Sequence, residues 1–255
     1  MIFSPSIEAV YRDSKLSVSN IISRISELGF SAFEFWSWWD KDINEIHKAK
    51  EEHGVTVASF CTKMISLVNP LLRDAYVEGL KETMVVANRL QCKYLVSQVG
   101  QEEPGITRLK QKQSIVDGLK RCAPALEEQG ITLLIEPLNT KVDHAEYFLE
   151  SSEEGFEIID KVNSPNVKLL YDIYHQQISE GNIIPGITRN LDKVAYLHAA
   201  DYPGRHEFGT GQIPFKNVLR AVDEAGYSGY LGLEYFPLGD PDKSLRKVMS
   251  EFQTS

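Results

Sequence analysis

A chain of 255 residues that is 42% hydrophobic and 25% charged can bury a large core, which excludes a disordered or fibrous protein. Its net charge of −9, with no basic stripe to offset it, opposes a phosphate backbone and excludes nucleic acid as the expected partner. Three cysteines without CxxC spacing exclude a disulfide framework and a cysteine-rich zinc site, and the lack of a long apolar run or signal-like start leaves no expected membrane contact and a cytoplasmic location.

Along the chain two periodicities alternate. An opening apolar run, IFSPSI, is followed by Val18, Ile21, Ile22, Ile25 and Leu28 at helical spacing and a stop at Gly29. Next come a strand at 32–36 (AFEFW), a helix from Ile43 to Glu52 ending at Gly54, and a strand at 55–60 (VTVASF). A long helix from Asp74 to Leu90 leads to KYLVSQV at 93–99, and one from Gln111 to Gln129, ending at Gly130, leads to ITLLIEP at 131–137. The second half continues with a helix from Glu153 to Val162, NVKLLYD at 166–172, KVAYLHAAD at 193–201, a helix from Pro214 to Ala225 and YLGLEYF at 230–236. A last helix, Pro241 to Phe252, follows Asp240, a capping carboxylate set before a proline. Near-continuous apolar strands that alternate with helices are the pattern of parallel strands covered on both faces. A count of eight, no GxGxxG turn, and about 30 residues per unit favour a closed (β/α)8 barrel of the α/β class over an open doubly wound sheet.

Each of the last four strands delivers an ionisable residue at its C-terminal end. These are Glu136, Asp172, His198 and Glu234, spaced 36, 26 and 36 positions apart. By strand alternation they point inward together with Leu134, Leu170, Tyr196 and Gly232, at the rim where barrel enzymes build their sites. A lone glutamate at a strand end is usually a solvated rim residue. Three carboxylates converging on one rim repel one another unless a cation neutralises them or their pKa values rise. One imidazole in an oxygen-rich set suits a single divalent ion, Mn²⁺, Mg²⁺ or Co²⁺, with Zn²⁺ admitted, and no organic cofactor is expected.

The stretches LLIEPLN, LLYDIYHQQ, LHAADYPGRHEFGTGQI and GYLGLEYFP resemble motifs of the hydroxypyruvate isomerase family, one branch of the xylose-isomerase-like TIM barrels that also include the ketose 3-epimerases. The resemblance is strongest over residues 131–237 and keeps its order through the first half. It implies one barrel domain over residues 1–255 and one divalent metal held by Glu136, Asp172, His198 and Glu234. It further implies proton transfer beside a carbonyl through an enediolate, with Glu136 and Glu234 carrying the proton as well as binding the metal. In the same way it implies that His175 hydrogen-bonds a substrate oxygen and that Arg205 supplies a cation for a carboxylate or hydroxyl. The implied substrate is a small α-hydroxy carbonyl acid, hydroxypyruvate (giving tartronate semialdehyde) or a 2-oxo-tetronate. A ketose 3-epimerase of the tagatose/psicose type, a keto-inositol dehydratase and a non-catalytic sugar-binding barrel are the alternatives. Two departures bear on that choice. Hydroxypyruvate isomerases tend to present Gln where this chain, like the ketose epimerases, has His198; and the glutamate that epimerases place six residues after the first ligand is Val142 here, with Asp143 beside it. The apurinic endonuclease that shares this barrel needs more histidine ligands and a basic surface, neither of which this chain offers.

The remaining polar and aromatic residues read less sharply. Trp36, Trp38 and Trp39 follow the second strand, where they roof a pocket or bury an interface. The latter makes a homodimer or homotetramer a reasonable expectation. Glu34 is expected inside the barrel or at its rim, holding a neighbour's hydrogen bond rather than acting in catalysis. Lys63 and Gln98 are expected as polar contacts at the mouth, His206 and Glu207 share the loop of Arg205, and His47, His53 and His144 read as surface residues.

Overall fold

The computed structural model describes residues 1–252. Strand β1 (Ile2–Pro5) leads through a single helical turn, α1 (Ile7–Val10), and α2 (Val18–Glu27) into β2 (Ala32–Phe35). Then follow α3 (Ile43–His53), β3 (Thr56–Cys61), a 3₁₀ turn at Pro70–Leu72, α4 (Arg73–Leu90) and β4 (Tyr94–Ser97). The second half runs α5 (Arg108–Gln129), β5 (Thr132–Ile135), α6 (Ser152–Val162), β6 (Val167–Asp172), α7 (Ile173–Ser179), α8 (Ile183–Thr188), β7 (Val194–Ala199), α9 (Phe215–Glu224), β8 (Tyr230–Leu233) and α10 (Pro241–Phe252). Neighbouring strands pair in parallel in the order β1-β8-β7-β6-β5-β4-β3-β2. A parallel bridge from Ser6 to Glu34 brings the two edge strands together into a nearly closed barrel. The barrel expected over residues 1–255 extends at 253–255 beyond the described residues.

Local chemistry sets the helix boundaries. Ser17, Asp42 and Ser151 turn a side-chain oxygen onto free N–H groups at the starts of α2, α3 and α6. Gly130 leaves α5 at φ 64, a left-handed turn that glycine makes without a Cβ penalty. Asp240 accepts from Lys243 N at 2.9 Å, capping α10 as its place before Pro241 predicts. Helices α7 and α8 were not expected. Their apolar residues follow no long period, and α7 is started instead by Asp172, whose carboxylate accepts from the backbone of Tyr174 and His175. The last strands are also shorter than predicted, so that Glu136 and Glu234 fall one residue past β5 and β8.

Alternation along the strands divides the core. Leu133, Leu169, Leu197 and Leu231 face the helices in the larger apolar cluster, whereas Val96, Leu134, Leu170 and Tyr196 fill the barrel interior. Two slips in register interrupt the pairing. Between Phe33 and Phe35, β2 loses step with β3, and between Leu169 and Leu170, β6 loses step with β7. The second slip sets Asp172 opposite His198. Without it Leu197 would occupy that place, and the imidazole would point to the helices.

The excursion between β7 and α9 is organised around one buried carboxylate. Asp201 accepts from the backbone N–H groups of Tyr202, Gly209, Gly211 and Ile213 at 2.9, 2.9, 2.8 and 3.0 Å. Gly211 is required for this approach, because a Cβ there would lie 2.6 Å from Asp201 Oδ1. The loop so folded carries Arg205. Asp201→Ala should therefore destabilise the protein by on the order of 3 kcal/mol, and Asp201→Asn by less, since four backbone N–H groups, one buried and three part-buried, lose a charged acceptor. Urea unfolding checks this; a loss under about 1 kcal/mol for the alanine variant would show that the loop does not depend on the carboxylate.

Candidate metal centre

Strands β5 to β8 bring Glu136, Asp172, His198 and Glu234 to the C-terminal rim of the barrel. Each is buried, and each offers one ligand atom within 4.8 Å of the others. His198 turns Nδ1 into the group, 3.2 Å from Glu136 Oε1 and 3.4 Å from Glu234 Oε2. Asp172 uses Oδ1 to cap α7, accepting from Tyr174 N at 2.7 Å and His175 N at 3.1 Å. Glu234 is held from both sides: the Trp36 indole N–H donates to Oε1 and Arg205 Nη2 donates to Oε2, each at 2.6 Å.

Arg205 is fixed in turn. It adopts a left-handed φ of 58, an uncommon conformation for a residue with a Cβ and one that functional loops often hold. Its guanidinium lies 5.4 Å from the centre of the Tyr174 ring and 5.6 Å from that of Phe236. Its carbonyl accepts from Phe236 N at 2.8 Å.

The electrostatics of the rim are unbalanced. Four carboxylates, counting Glu34 beside His198, face two cationic groups, Arg205 and His198. Burial pushes Asp172 up to about 7; Arg205 opposes the shift and Glu136 adds to it. Burial also disfavours a charged Glu234, but Arg205 and His198 overcome it and hold that carboxyl far below the usual range. For His198 burial opposes the charge, and Glu34, Glu234 and Glu136 outweigh it, keeping the ring protonated well above its ordinary range. Three buried carboxylates and one imidazole nitrogen, close together and short of positive charge, fit one hard or borderline divalent cation.

A cavity of about 170 Å³ is bounded by Glu136, His198, Glu234 and Arg205, with Trp36, Gln98 and His144 among its other walls. The tryptophans thus divide. Trp36 serves the cavity, Trp38 donates to Thr83 Oγ1 at 3.2 Å, and Trp39 is 42% exposed. Gln98 lines the cavity as predicted, but Lys63 does not. It is paired with Glu82 and lies 5.5 Å from the Trp38 ring centre. His144 corrects the expectation of a surface residue: it is half-buried, lines the cavity, and packs 5.2 Å from the His175 ring. Burial, aided by Arg205, pushes its pKa down, so it is neutral at pH 7. His206 and Glu207 bind the loop after β8 instead, through Phe236 O at 2.7 Å and Leu238 N at 3.1 Å.

His175 is wholly buried, and its tautomer follows from a neighbour that the sequence did not single out. Asn139 Oδ1 accepts from Val142 N at 2.9 Å and Asp143 N at 3.2 Å, which orients the amide so that Nδ2 lies 2.7 Å from His175 Nδ1. The Asn139 backbone N–H donates to the same nitrogen at 3.3 Å. Burial, reinforced by Arg205, holds the ring neutral, so Nδ1 accepts and the proton sits on Nε2. That Nε2–H is buried without a hydrogen-bond partner. In the sequence Asn139 stands out only as the third residue after Glu136.

The family model described as xylose isomerase-like TIM barrel matches residues 22–253. A hydroxypyruvate isomerase of Escherichia coli is 28% identical over 232 residues, 88% of this chain and 89% of that protein. A 2-oxo-tetronate isomerase of Pectobacterium atrosepticum is 31% identical over 230 residues, 86% of this chain and 87% of that protein. Among solved structures, an AP endonuclease, family 2, from Brucella melitensis superposes with a TM-score of 0.92 over 99% of both chains at 23% identity. A D-psicose 3-epimerase from Clostridium cellulolyticum with D-tagatose gives 0.84 over 98% of this chain and 97% of that one at 18% identity. At such identities the structural likeness speaks for the fold alone.

Protons and a cation compete for the same atoms of Asp172 and His198. Because Asp172 gives up its proton only near pH 7, Mn²⁺ affinity should climb as the pH is raised from about 5.5 to about 7.5. Titration calorimetry in buffers of different ionisation enthalpy should record proton release on binding. Affinity that stays flat across this range would contradict the assignment of these residues as ligands.

Proposed function

The chain belongs to the xylose isomerase-like TIM barrel family, and from that premise we propose that it is a metal-dependent isomerase of a small α-hydroxy keto acid, hydroxypyruvate or a 2-oxo-tetronate. Its membership of the hydroxypyruvate isomerase branch, through the E. coli and Pectobacterium relatives, makes it an isomerase acting on a small molecule. The observation that carries the proposal further is the clustering of Glu136, Asp172, His198 and Glu234 at one rim, three of them lining a small cavity that Arg205 also lines.

Isomerisation moves one hydrogen from the hydroxyl-bearing carbon to the neighbouring carbonyl carbon. A base takes the C–H proton, the electron pair passes into the C–C bond, and an acid returns a proton to the other carbon while the hydroxyl proton changes oxygen. A divalent ion at the rim supplies the positive charge that stabilises the substrate oxygens as the C–H proton leaves. Glu136 is the better placed base. It faces the cavity, and its Oε2 accepts no hydrogen bond among the described residues. Glu136, protonated by that step, returns the proton to the other carbon, while Glu234, kept ionised and with both oxygens held by Trp36 and Arg205, is the second carboxylate facing the substrate and the cation. His175 Nε2–H, buried without a hydrogen-bond partner and 3.6 Å from Asp172 Oδ2, is the donor this reading assigns to a substrate oxygen.

Two observations bear on the substrate. Arg205 is the cationic side chain lining the cavity besides His198, and its Nε is buried without a partner, which favours an acid. Val142 is 62% exposed and outside the cavity lining, so the position where epimerases place a glutamate contributes nothing to the site. A ketose 3-epimerase is the second reading, favoured by His198 as the nitrogen ligand. No helix among the described residues is long and apolar enough to cross a membrane. The three cysteines are free and buried, which supports the cytoplasm as the location. Trp39, the most exposed tryptophan, is the residue on which a homodimer or homotetramer would rest.

The test is to follow the Mn²⁺-loaded protein in D₂O by NMR with hydroxypyruvate, a 2-oxo-tetronate and D-fructose. Wild type should exchange the C–H proton of an acid substrate and form its isomer, and Glu136→Gln should lose both. Arg205→Ala should raise KM on the order of 100-fold for the acid and far less for fructose, whereas a kcat loss common to both reports the Glu234 contact. Absence of exchange with every candidate would sink the proposal, and equal KM effects would remove the acid.

A further inference from the structure

Glu34 is not one of the four rim residues, yet it is 2% exposed and aimed into the barrel. An unpaired carboxylate in that position is costly, so its partners define its role. Its two oxygens are divided between them. Oε2 accepts from the Tyr196 hydroxyl at 2.6 Å, and Oε1 lies 3.2 Å from His198 Nε2, the nitrogen on the far side of the ring from Glu136 and Glu234. Among the described residues no lysine or arginine pairs with it.

Two features of the backbone make this arrangement. Unbroken alternation along β2 turns Glu34 inward between the helix-facing Phe33 and Phe35, and the extra residue of the register slip lies across from it on β3. Gly232, opposite His198 on β8, then leaves the space that the carboxylate fills. A Cβ at that position would lie 2.5 Å from Glu34 Oε2 and 2.7 Å from Oε1, and would collide with the His198 ring. Strands β2, β7 and β8 are therefore shaped together around one contact.

We propose that Glu34 is the positioning residue of His198: held by Tyr196, it keeps the proton on Nε2 and so presents the Nδ1 lone pair to the cation, an inference that rests on the metal-centre reading above. A ligating imidazole needs a partner for its other N–H to fix ring orientation and basicity. Here that partner can only be Glu34, because Nε2 is buried with no hydrogen bond elsewhere. The 3.2 Å approach is not yet aligned as a hydrogen bond, since the ring is also drawn through Nδ1 toward Glu136 and Glu234; contacts of this kind tighten when a site is filled. The arrangement also restricts position 198. Its side chain must donate to Glu34 and offer a lone pair to the cation while remaining neutral, which His does with two ring nitrogens and Gln with its amide.

Co²⁺ titration of the full chain tests this, with two readouts: affinity by calorimetry, and the exchangeable imidazole N–H proton of the ligating histidine in the hyperfine-shifted NMR spectrum. Wild type should bind one Co²⁺ and show that proton in H₂O but not in D₂O. Glu34→Ala should bind about 10–100-fold more weakly and lose the resonance to solvent exchange, while Glu34→Gln, which keeps an acceptor, should fall between and retain it. If the alanine variant does not fold, the glutamine variant decides by its intermediate affinity. Wild-type binding with both variants within about twofold and the N–H unchanged would overturn the role of Glu34 and leave the metal centre standing. Failure of the wild type to bind Co²⁺ would overturn both.

Discussion

Buried negative charge at one end of the barrel is the constraint from which the rest of the site follows. Carboxylates from β2, β5, β6 and β8 occupy a space from which water is largely excluded, and each would expel the others without compensation. Compensation is built into every neighbouring element. Arg205 and Trp36 hold Glu234, the start of α7 holds Asp172, and His198 lies between Glu34 on one side and Glu136 and Glu234 on the other. Burial, with the charge of Glu136 added to it, leaves the pKa of Asp172 raised even against Arg205. A rim that concentrates unbalanced charge in this way could hold a cation.

The backbone irregularities serve the same end. The slip between β6 and β7 turns an imidazole inward where a leucine would have been, and Gly232 leaves the gap in which it meets Glu34. Arg205 depends on a different device, the loop wound around Asp201. That guanidinium neutralises Glu234, and under the proposed function it is also the cation available to a substrate carboxylate.

Much of this was legible in the sequence because strands and long helices declare themselves by period. The eight apolar runs and the four residues at the strand ends are read from period and position, and alternation back from each of the four gives the inward Leu134, Leu170, Tyr196 and Gly232. What escaped is set by contacts between distant segments. Helix α7 starts from a cap rather than an apolar stripe, so no period announces it. His144 looked like a surface residue because nothing local shows that Asn139 folds residues 139–143 back on themselves and brings the following histidine to the cavity. Lys63 was placed at the mouth by its position after a strand, and Glu82 on α4 draws it away. Glu34 was read inside the barrel, but its partner could not be: the pairing with His198 arises from barrel closure and a register slip, neither of which is written in any one segment.

The central claim is that Glu136, Asp172, His198 and Glu234 share one divalent ion. Crystals grown with Mn²⁺ and measured on both sides of the manganese absorption edge test it most directly. One anomalous peak per chain is expected, about 2.0–2.3 Å from an oxygen of each carboxylate and from His198 Nδ1. A peak elsewhere, ligation through His198 Nε2, or an ordered water in place of the ion at saturating Mn²⁺ would contradict it.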